Sequence, residues 1–139
     1  MGYGGYLIRV GDYTLPFEYI QSDTYKCGIK GQDLDSYNDA NGIFRRNALE
    51  NVVIKAEFNT PSPISEDTIR PFLDKIIEQF INKNEKKALV TMWMPEIGKY
   101  VIQECYEPDI DFEIQYADEN EVIYNSFRLA FIGYGGKVW

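Results

Sequence analysis

The sequence predicts an α+β fold: a mostly antiparallel β-sandwich or curved sheet of about seven or eight strands with one helix packed on it. Three observations lead there. Apolar and polar residues alternate at period two in several short runs, one run alone carries the helical period, and turn-forming residues separate the runs at short intervals. With 139 residues, 45% hydrophobic and 26% charged, the chain suits a single domain over residues 1–139 with a core of its own.

Residues 6–10 read as the first strand, Gly11-Asp12 as a turn, and residues 13–20 as the second arm of a hairpin. Pro16 cannot donate to a ladder, which places it at an edge or a bulge. From residue 21 to 47 the periodicity fades. Asp33, Asp35, Ser36, Asn38, Asp39, Asn41 and Gly42 crowd together with few aliphatics, so this reads as a long polar loop or arm. It is either a surface loop or a segment that becomes ordered against a partner.

Regular structure returns at Ala48, and residues 52–58 carry a clear alternation. Val52, Ile54, Ala56 and Phe58 fall on one face and Val53, Lys55 and Glu57 on the other, the pattern of a half-buried strand. After the stop at 59–63, Ser65 is placed as an N-cap, with Glu66 and Asp67 complementing the helix dipole and Ile64 and Ile69 as a hydrophobic staple. Ile69, Phe72, Leu73, Ile76, Ile77, Phe80 and Ile81 form one apolar stripe at helical spacing. Pro71 implies either an irregular first turn or a helix that starts at Pro71, and Asn82 to Asn84 supply a left-handed ending. Residues 87–94 and 100–106 read as a hairpin around 95–98. Ile110, Phe112, Ile114 and Tyr116 alternate with Asp109, Asp111, Glu113 and Gln115 as a further strand, and residues 122–132 close the fold as a last amphipathic strand.

Composition excludes whole classes of function. Fourteen Lys and Arg against 22 Asp and Glu give a net charge of −8 and a pI near 4.5, a balance that repels a polyanion. Histidine is absent, which removes Ser-His-Asp and Cys-His catalysis and the paired-His zinc helix. Cys27 and Cys105 form no C-x-x-C motif, and whether they pair is open. No apolar run approaches the roughly 18–20 residues needed to span a bilayer, and no signal peptide is visible at the start. The expectation is a protein that is not an enzyme and needs no cofactor or metal.

Residues 104–121 hold eight carboxylates and no basic residue. A calcium loop would need glycine at its sixth position, where Ile114 stands, so Asp109, Asp111 and Glu113 are read as an acidic surface. Gly2-Tyr3-Gly4-Gly5 and Gly133-Tyr134-Gly135-Gly136 match no phosphate-binding pattern and read as frayed ends with an aromatic anchor. Arg45-Arg46 is an adjacent basic pair directly after the acidic stretch and suits another subunit's carboxylates. The eleven tyrosines suit protein contacts, and strands equally.

Ala40, Asn41, Gly42 and Arg46 make an Ala-Asn-Gly-x-x-x-Arg loop, followed by a strand, the helix over Ile69 to Ile81, and a hairpin from Met92 to Tyr100. In that order they resemble a family of small phage and prophage tail-module proteins without an assigned activity. The element order is similar to that of the phage tail-tube fold, whose subunits assemble into rings. The resemblance implies a structural subunit of a phage or prophage tail, in the tube, terminator or baseplate layer. Its partners would be further copies of itself and other tail or baseplate proteins, with no sequence-specific nucleic acid contact and no membrane. It would reside in the virion tail after assembly in the host cytoplasm. Asp35, Tyr37, Asn41, Arg45 and Arg46 are the candidate partner contacts. The alternatives are a tail-assembly accessory or chaperone-like binding module and a carboxylate-only hydrolase.

Overall fold

A computed structural model describes residues 2–30, 33–38, 44–48 and 52–136. Among them are twelve strands and one α-helix: β1 (Ile8–Val10), β2 (Tyr13–Thr14), β3 (Lys26–Lys30), β4 (Asp33–Asn38), β5 (Phe44–Ala48), β6 (Val53–Asn59), β7 (Ile64–Ser65), α1 (Glu66–Glu78), β8 (Lys87–Met94), β9 (Lys99–Tyr106), β10 (Ile114–Ala117), β11 (Val122–Tyr124) and β12 (Arg128–Gly133). Seven strands form one sheet in the order β2-β1-β8-β9-β12-β6-β3, three form a second in the order β10-β11-β7, and β4 pairs with β5. Every pairing is antiparallel. The fold is α+β, as expected.

One face of the main sheet and α1 make the core. In β6, Ile54, Ala56 and Phe58 are buried while Lys55 and Glu57 stay half-exposed, as the period-two pattern requires. Val90, Met92 and Met94 of β8 and Leu129 and Phe131 of β12 complete the sheet side. Ser65 ends β7 and caps α1, its Oγ accepting the Thr68 N–H at 3.3 Å. Ile69, Phe72, Leu73 and Ile76 are buried along the helix, with Phe80 beyond its end. Tyr19 stacks on Phe72 at 4.3 Å between ring centroids.

The helix keeps its expected Ser65 cap and differs from its sequence pattern at Pro71 and at its C-terminal end. It begins at Glu66 and runs through Pro71. Asp67, whose carbonyl loses its donor there, and Pro71 are both exposed, so the freed group is open to solvent. The helix stops at Glu78, which leaves Ile81 outside it and 65% exposed, while Ile77 lies off the buried stripe. The left-handed residue is Lys86 (φ 52°), not one of Asn82 to Asn84.

Other departures have local causes. The second arm of the first hairpin ends at Thr14, because Pro16 leads into a 3-10 turn over Phe17–Tyr19. The segment from 21 to 47 is not a structureless loop. β3 joins the main sheet with Cys27 opposite Ala56 and Ile29 opposite Ile54, and β4 and β5 form a separate ribbon. The expected last strand over 122–132 is two strands in different sheets, β11 and β12. Between them Thr60, fully buried, accepts the Phe127 N–H on its Oγ1 (3.1 Å) and donates its own N–H to the Phe127 carbonyl (3.0 Å). The glycine-rich ends are docked rather than frayed: the Gly4 N–H donates to Tyr100 Oη at 2.8 Å, and Gly136 pairs with Val52.

Two glycines are required by close approach. At Gly11 (φ 57°) an added Cβ would lie 2.3 Å from Gln79 Oε1, which accepts the Asp12 N–H at 2.9 Å. At Gly133 a Cβ would run into Gln103, a buried amide that donates to the Val52 carbonyl at 3.0 Å and so ties β9 to the start of β6.

Two outcomes follow from this packing. Phe72→Ala or Ile76→Ala, read by denaturant melts, is expected to cost about 2–5 kcal/mol. Glu107, just past β9, is buried, and desolvation pushes its carboxyl up to about 7 against only partial relief from Lys86. A carboxyl raised in the folded state is neutral in both states below the unfolded value of 4.5. Stability therefore falls as pH rises from there through about 7. Glu107→Gln should match wild type at pH 4 and exceed it at pH 8 by about 1–3 kcal/mol in paired chemical melts.

Candidate functional site

The acidic span from 104 to 121 folds into the rim of the smaller sheet. Its strand signal over 109–116 is realised only as β10, and the apolar side of that alternation is uncovered: Phe112, Ile114 and Tyr116 are all exposed, Ile114 by 57%. Phe112 leans on Phe127 with centroids 4.7 Å apart, but its outer side faces solvent. The strand expected over 109–116 thus presents, at 112–116, an exposed apolar ridge on an edge strand. β10 pairs with β11 on one side and is terminal in its sheet on the other.

The carboxylates around this edge divide into two kinds. Some hold the backbone. Asp118 accepts the Tyr116 hydroxyl at 2.7 Å and the N–H groups of Asn120 and Glu121 at 2.8 and 2.9 Å, which holds its carboxyl below the usual range. Glu113 accepts from the Asn125 side chain, and its carbonyl takes the Asn125 N–H at 2.9 Å. Glu66, at the foot of the cleft between α1 and the β10–β11 turn, is held low by Arg70 (2.9 Å) and the Tyr124 hydroxyl (2.7 Å). The others are simply charge: Asp109, Asp111, Glu119 and Glu121 are exposed. Among the described residues, the only ion-paired carboxylate in 104–121 is Glu104, at 3.3 Å from Lys87.

The cleft has about 200 Å³ of space and is lined by Glu66, Asp67, Asp118, Glu119 and Glu121. Among the described residues no three of Cys, Asp or Glu converge as a cation cage. Cys27 and Cys105 are both free. Burial pushes their thiols up to about 11 and about 12, which keeps them protonated and poorly nucleophilic at neutral pH.

Of the predicted partner contacts, Tyr37 pairs with Arg45 in the β4–β5 ladder, Arg46 lies opposite Ser36, and Asp35 lies on β4. Asn41 and Gly42 lie outside the described residues. Asp109, Asp111 and Glu113 run in sequence along the acidic rim, well apart from that ribbon in the chain.

Sequence reasoning missed a second surface. On the outer face of the main sheet Tyr3 meets Trp93 edge-on at 5.4 Å, Trp93 meets Tyr100 at 5.1 Å, and Tyr6 stacks on Tyr100 at 4.6 Å. Leu89 and Ile102 are exposed on the same face. The signal was present, since β8 and β9 carry apolar residues at both phases of the alternation rather than one.

The division of carboxylates predicts a contrast. Asp109→Asn and Asp111→Asn should melt within about 2 °C of wild type, as substitutions on solvated positions do. Asp118→Ala should melt measurably lower by differential scanning calorimetry, because three hydrogen bonds of the turn go with it.

No curated protein matches this chain. Two chains of solved particles are similar to it. One is from the tail of an empty GTA particle refined with C6 helical symmetry (14% identity, TM-score 0.48, covering 99% of this chain and 100% of that one). The other is from the virion of a native gene transfer agent particle (13% identity, TM-score 0.48, 97% and 96%). The model of DUF6711, described as a family of unknown function, matches residues 1–134, and the chain belongs to that family.

Proposed function

We propose that the protein is a structural subunit of a phage or prophage tail, in the tube, terminator or baseplate layer, that works by associating with copies of itself and with other tail proteins. The observation that carries this reading is a closed core beside open strand edges. The stripe of α1 and the inner sheet face bury each other completely. Meanwhile β10 shows an apolar edge to solvent, and the β4–β5 ribbon joins no other strand among the described residues. Exposed apolar edges are aggregation hazards that single-copy proteins blunt, and assembling proteins use them. The order of strand β6, helix α1 and hairpin β8–β9 also agrees with the resemblance drawn from the Ala40 to Tyr100 region.

The reading asks for no bond-making chemistry. The acidic rim contributes a field instead, since exposed like charges keep a polyanion off the surface over the Debye length of about 8 Å at physiological salt. The ribbon and its candidates Asp35, Tyr37, Asn41, Arg45 and Arg46 serve this reading as subunit contacts. Limited proteolysis should cut the 21–47 segment first in dilute subunits and spare it in assembled particles.

Sedimentation velocity across a wide concentration range, with negative-stain imaging of the heaviest species, tests the proposal. Closed rings or stacked rings are expected. A monomer at every concentration would overturn self-assembly and favour the accessory, chaperone-like module.

A further inference from the structure

Two strand edges of this subunit match each other in pattern and charge. β3 lies at one margin of the main sheet, where it pairs with β6 alone among the described residues. Its Cys27 and Ile29 are half-buried against the core, while Lys26 and Gly28 are exposed on the opposite face. Residues 24–32 carry two lysines and no acid. The rim at 112–116 has the same two-residue alternation with the opposite charge: Phe112, Ile114 and Tyr116 are apolar and exposed, and Glu113 and Gln115 lie between them. It is set in a span of eight carboxylates without a base.

We infer that copies join head to tail by strand addition, the edge of β10 in one copy pairing with the edge of β3 in the next. This rests on the self-assembly reading above and names its contact. Laid beside β3, the ridge Phe112–Ile114–Tyr116 continues the apolar layer that Cys27 and Ile29 begin, and Glu113 falls on the face of Lys26. Among the described residues the outer backbone N–H and C=O groups of both edges face no strand, and they supply the ladder. Because the two edges differ, the contact is heterologous, and such contacts close into rings or run on as filaments. Opposite charge fixes which edge meets which, as two β10 edges or two β3 edges repel. The alternative occupant, an extended basic segment of a different protein, is an outcome of the test.

Charge reversal followed by mixing tests the contact directly. One variant carries Lys26→Glu and Lys30→Glu, so both of its edges are acidic; the other carries Asp109→Lys, Asp111→Lys, Glu119→Lys and Glu121→Lys, which leaves only Glu113 and Asp118 against four lysines over 109–121, so both of its edges are basic. Each alone should need at least about tenfold more protein than wild type to associate in sedimentation velocity, since like charges then face each other. An equimolar mixture should recover the wild-type concentration dependence, because each acidic edge meets a basic one. A general loss of folding is not repaired by mixing. Either variant associating as wild type does, or a mixture of folded variants that stays dissociated, overturns the contact and leaves self-assembly standing. A wild type that never associates removes both and leaves the edge to a different protein.

A second arm leaves every charge in place. A Cβ at Gly28 would stand in open space. Copies with Gly28→Cys mixed with copies bearing Gln115→Cys, two positions on the face of Lys26 and Glu113, should give mainly the mixed disulfide dimer under mild oxidation. A product distribution no different from random pairing would overturn the contact.

Discussion

Burial of the apolar stripe of α1 against the inner face of the seven-stranded sheet is the interaction on which the rest of the fold depends. The stripe places Ile69, Phe72, Leu73 and Ile76 among residues of β6, β8 and β12. It also sets the second sheet, because Ser65 is at once the last residue of β7 and the cap of α1. Moving the helix would pull β7 from β11, and β11 carries β10. The acidic rim is therefore positioned by the hydrophobic core through one residue, with the Tyr124–Glu66–Arg70 hydrogen bonds bracing the same corner.

What the sequence made legible follows from the range over which each signal acts. The cap at Ser65, the stripe of α1, the alternation of β6 and the β8–β9 hairpin rest on contacts within a few residues or on one continuous buried face, and each stands where periodicity places it. The failures rest on distant partners. β3 is a short strand interrupted by a glycine, visible only once β6 lies beside it. The switch at residues 125–127 depends on Thr60, 67 positions from Phe127. Most instructive is 109–116, whose clean alternation signalled strand geometry correctly at β10 but could not say that Phe112, Ile114 and Tyr116 stay exposed on its apolar side. Period two reports the pleat, not the partner.

The acidic rim shows the same divide. Composition made its charge plain, and its members do stay solvated where no backbone group needs them. The separation of structural carboxylates (Glu113, Asp118) from free ones (Asp109, Asp111) is set by where Asn125 and the β10–β11 turn stand, which spacing alone does not encode. The aromatic seam of Tyr3, Tyr6, Trp93 and Tyr100 likewise forms from the first and third quarters of the chain, far beyond local pattern.

The central claim is that this subunit is complete in its core and incomplete at its edges. Hydrogen–deuterium exchange on dilute and concentrated protein, resolved by peptide, reads that claim most directly. Amides of β10 and β3 should slow on association while those of β8 and β9, already paired on both sides, stay unchanged. Association that protects neither β10 nor β3 would contradict the account.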